Sequence, residues 1–201
     1  SMFYDPMIAK LCTWAPTREL AIEHMRTALD RFEVEGIGHN LPFLSAVMDH
    51  AKFVSGGITT AFIGEEYPEG FEGVTLGCGI LKHIAASCAA MNRVAEIRRT
   101  KVSGRLDNHE RKIGNDWVVN LQGQSFAVTI VADPQGSDVI FDDDETLRVS
   151  GVWVPGQTLA EMKVAGSSLV MKVAKISGGF QIRSRGADIK VHVRTPIQAR
   201  L

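Results

Sequence analysis

The chain lacks the features that mark several classes of protein. Across its 201 residues, 22 Lys and Arg nearly balance 23 Asp and Glu, so the basic excess typical of nucleic-acid-binding proteins is missing. No apolar run reaches the ~20 residues that a membrane span needs. Only three cysteines occur, Cys12, Cys78 and Cys88, and no C-x-x-C spacing suggests a disulfide framework or a zinc site. These absences favour a reducing compartment, with no nucleic acid and no membrane as partner.

Catalytic motifs are missing as well. There is no G-x-S-x-G, no H-E-x-x-H and no P-loop. The histidines lie without metal-ligand spacing. The acidic run Asp142–Glu145 lacks the alternating spacing of a calcium loop, and its position between two apolar segments predicts a solvated hairpin tip. The residues alone therefore predict a domain without an active site of its own.

The first part of the chain, residues 1–64, has mixed character. Residues 3–14 read as one or two strands around Pro6. Thr17 is a plausible N-cap for a following helix, whose apolar stripe has helical spacing and comprises Ile22, Met25, Leu29 and Phe32. A second short helix is expected from Pro42 to about Lys52. Residues 65–74 read as a linker.

The second part, residues 75–103, is predicted to be one long helix. Between Ile80 and Ala95 it is apolar on almost every face, which is typical of a helix buried on all sides. Its far end is basic, and this suits either a solvated helix end or a docking surface for an acidic partner; the cations are Arg93, Arg98, Arg99, Lys101 and Arg105.

The third part, residues 116–195, alternates between apolar and polar residues, as in Ile189–Arg194. Turn signals recur at short intervals and predict eight short strands, starting near Asp116, Gln124, Ser137, Thr146, Gly156, Ser168, Gly179 and Asp188. Such spacing favours an antiparallel barrel or sandwich. An antiparallel sheet curled around the apolar helix would bury the helix on every side and would also fill the inside of the barrel. The fold class is therefore α+β, with a long central helix surrounded by an eight-stranded antiparallel barrel.

Three segments near the start of the chain resemble the end of the biotin carboxylase domain in biotin-dependent carboxylases. Tyr4–Leu11 resembles the signature Y-D-P/S-M-I-x-K-L. The stretch from Arg18 to Asn40 follows the family pattern R-x-x-A, R-M-x-x-A-L and G-[VI]-x-x-N, with His39 in place of one variable residue. Phe53–Ile63 resembles the closing F-x-x-G-x-x-x-T-x-F-[IL]. The resemblance implies that residues 1–64 are the C-terminal portion of that domain.

The segment Tyr67–Phe71 resembles the Y-P-[DE]-G-F junction of the propionyl-CoA carboxylase branch of the family, in the α subunit. There the junction leads into the BT domain, which links biotin carboxylase to carboxyltransferase. The resemblance implies a BT domain at 75–201, with helix 75–103, a hook loop at 103–115 and a barrel at 116–195.

The resemblance implies a parent ligase that carboxylates biotin with ATP, Mg and bicarbonate and passes the carboxyl group to propionyl-CoA on the β subunit. The ATP-grasp segment and the biotinyl domain are absent, so we expect an internal fragment that is inactive and binds none of these cofactors. Lys163 lacks the Met-Lys-Met context of a biotin acceptor. The expected partners are the rest of the α subunit and the carboxyltransferase β subunit.

By resemblance, Tyr4 and Asp5 lie beside the biotin carboxylase site, where Asp5 would orient a catalytic arginine; a turn role before Pro6 is equally open. The resemblance assigns contact with the β subunit to the hook, namely Arg105, Leu106, Asp107, Asn108, His109, Glu110 and Arg111. The compartment would be cytoplasmic in a bacterium and the mitochondrial matrix in a eukaryote. Two alternatives stay open: a carboxylase of acetyl- or methylcrotonyl-CoA, and a stand-alone barrel that binds a ligand or nucleic acid.

Overall fold

The computed structural model describes residues 7–34, 36–101 and 112–200. The chain divides into two compact units, Ser1–Gly73 and Val74–Leu201. The described residues of the first unit form helices, and those of the second form one long helix and a closed sheet. Each unit is built on its own local signals.

Two helices of the first unit, Arg18–Arg31 and Ala51–Ser55, begin at residues whose side chains cap them. The hydroxyl of Thr17 accepts a hydrogen bond from the Leu20 N–H at 3.3 Å, which confirms the predicted N-cap. Arg18 donates to the carbonyls of Phe53 and Val54, and its guanidinium lies 5.1 Å from the centre of the Phe53 ring. The helices are α1 (Arg18–Arg31), α2 (Leu41–Asp49), α3 (Ala51–Ser55) and α4 (Phe62–Glu66).

The helix predicted from Pro42 to Lys52 is interrupted at His50. This residue has an extended backbone, with φ −71° and ψ 129°, and it ends α2 and begins α3. Its ring Nδ1 lies 3.2 Å from the Lys52 N–H and caps the new helix. The helix is interrupted because the His50 ring accepts a hydrogen bond from the Lys52 N–H, a backbone group that a continuous helix would pair internally.

The strand prediction for residues 3–14 was wrong over the part that the structure describes. Residues 7–15 are assigned to no strand. An extended segment becomes a strand only when another strand pairs with its backbone. None of the described residues of the first unit forms a strand.

The second unit contains an eight-stranded antiparallel barrel, as predicted. Each strand pairs with the next along the chain, and β8 pairs with β1 to close the ring. Three hairpins at one end use two-residue turns with positive φ at both positions, which matches the twist of the strands. The strands are β1 (Asp116–Leu121), β2 (Gln124–Asp133), β3 (Gly136–Phe141), β4 (Thr146–Ser150), β5 (Leu159–Val164), β6 (Ser167–Ile176), β7 (Gly179–Ser184) and β8 (Ala187–Arg194).

The pairing between β4 and β5 is much shorter than at the other seams. Only Val149 with Val164 and Ser150 with Lys163 face each other in register. After Ser150 the chain leaves the sheet in the loop 151–158, which passes close to β5. A Cβ at Gly151 would lie 2.7 Å from the Glu161 carbonyl oxygen, and the φ of +140° also requires glycine there.

The long helix, α5 (Cys78–Thr100), packs against strands on every side of the ring: β1, β2, β3, β4, β5, β7 and β8. Its buried face consists largely of small residues, and Ala85, Ala86, Cys88 and Ala89 are fully buried. They share one hydrophobic cluster with strand residues such as Val119. Since an eight-stranded barrel has little room for large side chains, small residues on the helix allow this close packing.

Ion pairs of Lys82 fix the beginning of α5 at the turn end of the barrel. The Lys82 ammonium donates to the Asp143 carboxylate at 2.5 Å and also to the Glu145 carboxylate. The same ammonium lies 5.2 Å from the centre of the Phe141 ring. These two carboxylates raise the pKa of Lys82 above its ordinary range. The acidic run Asp142–Glu145 is therefore a hairpin tip, as predicted, and its charge is partly neutralised by the helix.

Enlarging a small residue of α5 should destabilise the barrel. We expect Ala89→Leu to lower the free energy of unfolding by about 1–3 kcal/mol, because the site is fully buried and cannot accept extra methylenes. Urea unfolding followed by tryptophan fluorescence reports on the barrel, since Trp117 and Trp153 are buried and Trp14 is 81% exposed. The control is Ala132→Leu on the exposed end of β2. Equal losses in both variants would contradict this account of the packing.

Candidate functional site

The two ends of the barrel differ in how their strands are joined. At the turn end, the hairpins at 122–123, 165–166 and 185–186 are too short to present a surface. At the opposite end, here called the loop end, α5 finishes, β1 begins, and the loop 151–158 connects β4 to β5. Long connections on a rigid scaffold are where binding residues usually lie. The loop end is therefore the candidate site of this unit.

Residues 102–111, which lie between α5 and β1 in the sequence, are outside the described residues. The last turn of α5 is held by an ion pair between Arg99 and Glu96 at 2.6 Å. The Thr100 hydroxyl donates to the Ile97 carbonyl at 2.7 Å, and the Lys101 N–H donates to the Arg98 carbonyl at 3.1 Å. The helix therefore stays regular up to the start of the connecting segment.

The far side of the same segment is anchored on the barrel. Ile113 packs against the hydrophobic cluster of the barrel. The Ile130 N–H donates to the Asn115 carbonyl at 2.9 Å, and the Thr129 hydroxyl donates to the Asp116 carboxylate at 2.7 Å.

The predicted site residues fall outside the described part of the chain. This applies to Tyr4 and Asp5 and to the predicted hook contacts, Arg105, Leu106, Asp107, Asn108, His109, Glu110 and Arg111. Within the described part, the basic end of α5 is partly neutralised by the Arg99–Glu96 pair.

Sequence reasoning missed a set of exposed aliphatic side chains at the loop end. Val152 is 87% exposed, although it adjoins the buried Trp153. The others lie near the end of β2, in the same loop, and beyond β8: Val131, Val154 and Ile197. The available signal was the alternation Val152-Trp153-Val154, in which one residue faces the core and its neighbours face away.

A network of charges stiffens the β2–β3 hairpin at the loop end. Arg148 on β4 contacts the Asp133 carboxylate at 2.7 Å and the Asp138 carboxylate at 3.2 Å. The Asp133 carboxylate also accepts hydrogen bonds from the N–H groups of Gln135 and Gly136 at 2.7 and 2.9 Å. Arg148 and these N–H groups lower the pKa of Asp133 to about 2.

The described residues also bear on a biotin acceptor, a metal site, a membrane span and a reactive cysteine. Lys163 lies within β5, where it pairs with Ser168 and Ser150, and does not occupy the hairpin tip that a biotin acceptor needs.

Within 7–34, 36–101 and 112–200, no three His, Cys, Asp or Glu side chains are placed to hold a metal ion. No helix in these same ranges has the length and apolarity to cross a membrane. Burial raises the pKa of the Cys88 thiol, which makes it a packing residue rather than a nucleophile.

Comparison with protein families gives two matches that together cover nearly the whole chain. The model of the propionyl-coenzyme A carboxylase BT domain matches residues 84–201. The model of the biotin carboxylase C-terminal domain matches residues 1–65. Both matches agree with the resemblances noted in the sequence.

Individual proteins similar to this chain include alpha chains of propionyl-CoA carboxylase. The chain is 70% identical over 201 residues to the propionyl-CoA carboxylase alpha chain of Ruegeria pomeroyi, and the alignment covers 100% of this chain and 30% of that protein. It is 30% identical over 209 residues to the mitochondrial propionyl-CoA carboxylase alpha chain of Mus musculus, covering 100% of this chain and 28% of the relative. The mitochondrial methylcrotonoyl-CoA carboxylase subunit alpha of Dictyostelium discoideum is 43% identical over 63 residues, 31% of this chain and 9% of that protein. The chain thus spans about 30% of the length of the first two relatives.

Removing the charge of Asp133 should change the acid sensitivity of the second unit. The pKa of Asp133 is about 2 in the folded chain against an ordinary 3.8, so its stabilising effect is complete above pH 3.8 and is lost as the pH falls towards 2. We expect Asp133→Asn to be less stable than wild type at pH 6, with the two converging near pH 2. Urea unfolding at several pH values measures this. The matched control is Asp142→Asn, at an exposed residue of the turn end; an unchanged gap across the pH range would contradict the role of the ionised Asp133.

Proposed function

Because the chain belongs to the family of propionyl-CoA carboxylase alpha chains, we propose that its second unit docks the biotin-carboxylating subunit onto a carboxyltransferase β subunit. The observation that carries the proposal is the match of residues 84–201 to the BT domain of propionyl-coenzyme A carboxylase. A docking module needs a stiff scaffold and an adaptable contact surface. The closed barrel is the stiff scaffold, and the loop end has the features of the contact surface.

Three features support the loop end as the docking surface. Its exposed aliphatic side chains, with Val152 the most exposed, are of the kind that interfaces bury. The described residues on both sides of the segment 102–111, which includes the predicted contacts Arg105–Arg111, are held there by hydrogen bonds. The Arg148 network keeps the neighbouring hairpin rigid before a partner arrives.

The activity of the complete protein follows from the same family. The parent would be an ATP- and biotin-dependent ligase that carboxylates biotin and transfers the carboxyl group to propionyl-CoA on the β subunit. No step with biotin, ATP or magnesium is assigned to the described residues. The role of this chain is positional: it would hold the two catalytic centres at a distance that a carried biotin can cross.

Among the acyl-CoA substrates considered for the parent protein, we favour propionyl-CoA. The BT model and the relatives that match all of this chain carry that name. The methylcrotonoyl-CoA relative matches less than a third of the chain. The compartment of the parent protein would be the cytoplasm in a bacterium or the mitochondrial matrix in a eukaryote.

The first unit would pack against the remainder of a biotin carboxylase domain. Its match to the C-terminal part of that domain supports this partner. Several large apolar side chains of this unit are exposed, among them Met7, Ile8 and Trp14. Such a surface is unusual for a free domain and suits one that another part of the same subunit covers.

Docking should depend on the segment 102–111 and on Val152. We expect the chain to co-elute with the cognate carboxyltransferase β subunit in size-exclusion chromatography with light scattering. Replacing residues 102–111 with a Gly/Ser segment of equal length should abolish co-elution. This replacement leaves Ile113 and the rest of the β1 anchor in place. Val152→Asp should weaken binding by about tenfold or more, because a carboxylate would be desolvated in an apolar contact.

The matched control for docking is Ile80→Asp, on the exposed face of the opposite end of α5. This variant should bind like the wild type. Circular dichroism verifies that each variant is folded. Folded wild-type chain that fails to bind the β subunit would refute the docking function, and equal weakening by Val152→Asp and Ile80→Asp would refute the loop end as its surface.

Trp14 reports whether the first unit is covered in the complete subunit. We expect acrylamide to quench Trp14 strongly in this chain, where the side chain is 81% exposed, and weakly in a full-length alpha chain. The difference in quenching between wild type and Trp14→Phe isolates its contribution in each protein. Equal accessibility in both would argue against the proposed packing partner.

A further inference from the structure

A pocket at the loop end has a composition that the docking role does not require. Its volume is about 510 Å³, within the size range of small-molecule sites. The lining is contributed by the last turns of α5, the loop 151–158 and strands β6 and β7, and includes Ala95, Arg98, Trp153, Val173, Lys175 and Phe180. We propose that this pocket binds a small organic anion with an apolar body, such as an aromatic or aliphatic carboxylate.

The floor of the pocket is aromatic and preformed. The rings of Trp153 and Phe180 meet edge to face, with 5.7 Å between centroids and an angle of 89°. The Trp153 indole N–H donates to the Gln157 carbonyl at 3.1 Å, and the Gln157 side chain accepts from the Val154 N–H at 3.0 Å. The polar atom of the indole is thus satisfied within the loop. An apolar ligand can therefore contact the Trp153 ring without leaving a buried donor unpaired.

The rim of the pocket is cationic. Lys175 extends over the Phe180 ring, with its ammonium 4.6 Å from the ring centroid, and Arg98 also lines the pocket. In the described part of the chain, no carboxylate forms an ion pair with either residue. Arg99 also lines the pocket, but it is paired with Glu96. The pocket is therefore lined by three cations, and two of them have no carboxylate partner among the described residues.

Lys175 is an exposed residue whose ammonium is partly desolvated by its surroundings. Burial lowers the pKa of its ammonium, and the nearby charge of Arg99 lowers it further, while Glu96 acts in the opposite direction. An anion placed between Lys175 and Arg98 would relieve this repulsion. A carboxylate also forms charge-assisted hydrogen bonds with both donor types. The apolar floor alone would accept a neutral molecule, so the rim decides the class of ligand.

The backbone around the pocket has little freedom to close it. Gly156 has a φ of +106° and leaves the mouth open, since a Cβ there would meet nothing within 4 Å. The loop is tied to β6 by a hydrogen bond of 2.7 Å from the Val173 N–H to the Thr158 carbonyl. A cavity that persists without a ligand loses less free energy in ordering when one binds.

The proposal is tested with two probes that share a body and differ in charge, 4-phenylbutyrate and 4-phenylbutan-1-ol. Calorimetric titration of the complete chain at low ionic strength should show the acid binding about tenfold more tightly than the alcohol. Lys175→Met keeps the length of the stem and removes the charge. This variant should bind the acid about fivefold more weakly and the alcohol within about twofold of wild type.

The matched control is Lys190→Met, an exposed lysine on β8 that does not line the pocket. It should leave the binding of both probes unchanged. Amide shifts in an NMR titration should be concentrated at residues 155–158 and 173–175. The proposal is overturned if neither probe binds at millimolar concentration, if the acid and alcohol bind equally, or if the two lysine variants behave alike. None of these outcomes affects docking, which is measured without the probes.

Discussion

The second unit depends on how closely a helix and a closed sheet can approach. Strands that contact α5 from around the ring must all reach the same helix, and only short side chains leave room for this. Ala85, Ala86 and Ala89 provide that room, and the larger Leu81, Ile84 and Met91 fill the remaining space. Because the ring is closed, a shift of one strand is passed to its neighbours. The helix thereby sets the radius of the barrel, and the barrel sets where the helix ends.

Charge has a different task at each end of this unit. At the turn end, Lys82 fixes the first turn of α5 to the β3–β4 hairpin through Asp143 and Glu145. At the loop end, Arg148 ties together β2, β3 and β4, while Arg98 and Lys175 have no carboxylate partner among the described residues. The described charges at the turn end hold the fold, whereas two cations at the loop end have no carboxylate partner among the described residues. Surface ion pairs contribute little each, but a network on a hairpin restricts its motion.

The sequence predicted the barrel well because its signals are local. Alternation along β8 and turn residues at regular intervals identify strands without knowledge of the tertiary structure. The apolar run of α5 predicted a helix with partners on every side. The break at His50 and the missing strand at residues 7–15 were not predictable, because one depends on a side chain that caps a backbone and the other on a partner strand. The pocket was equally hidden, since Arg98, Trp153 and Lys175 lie far apart in sequence and meet only when β4 and β5 separate.

The short pairing of β4 with β5 has a mechanical consequence. A force that parts the ring meets two residue pairs at this seam, whereas neighbouring seams such as β5 with β6 hold six. Opening of the barrel should therefore begin between Ser150 and Lys163, beside the loop 151–158, while the other seams remain intact. A barrel that opens at this one seam can recover its shape by re-forming only a few hydrogen bonds.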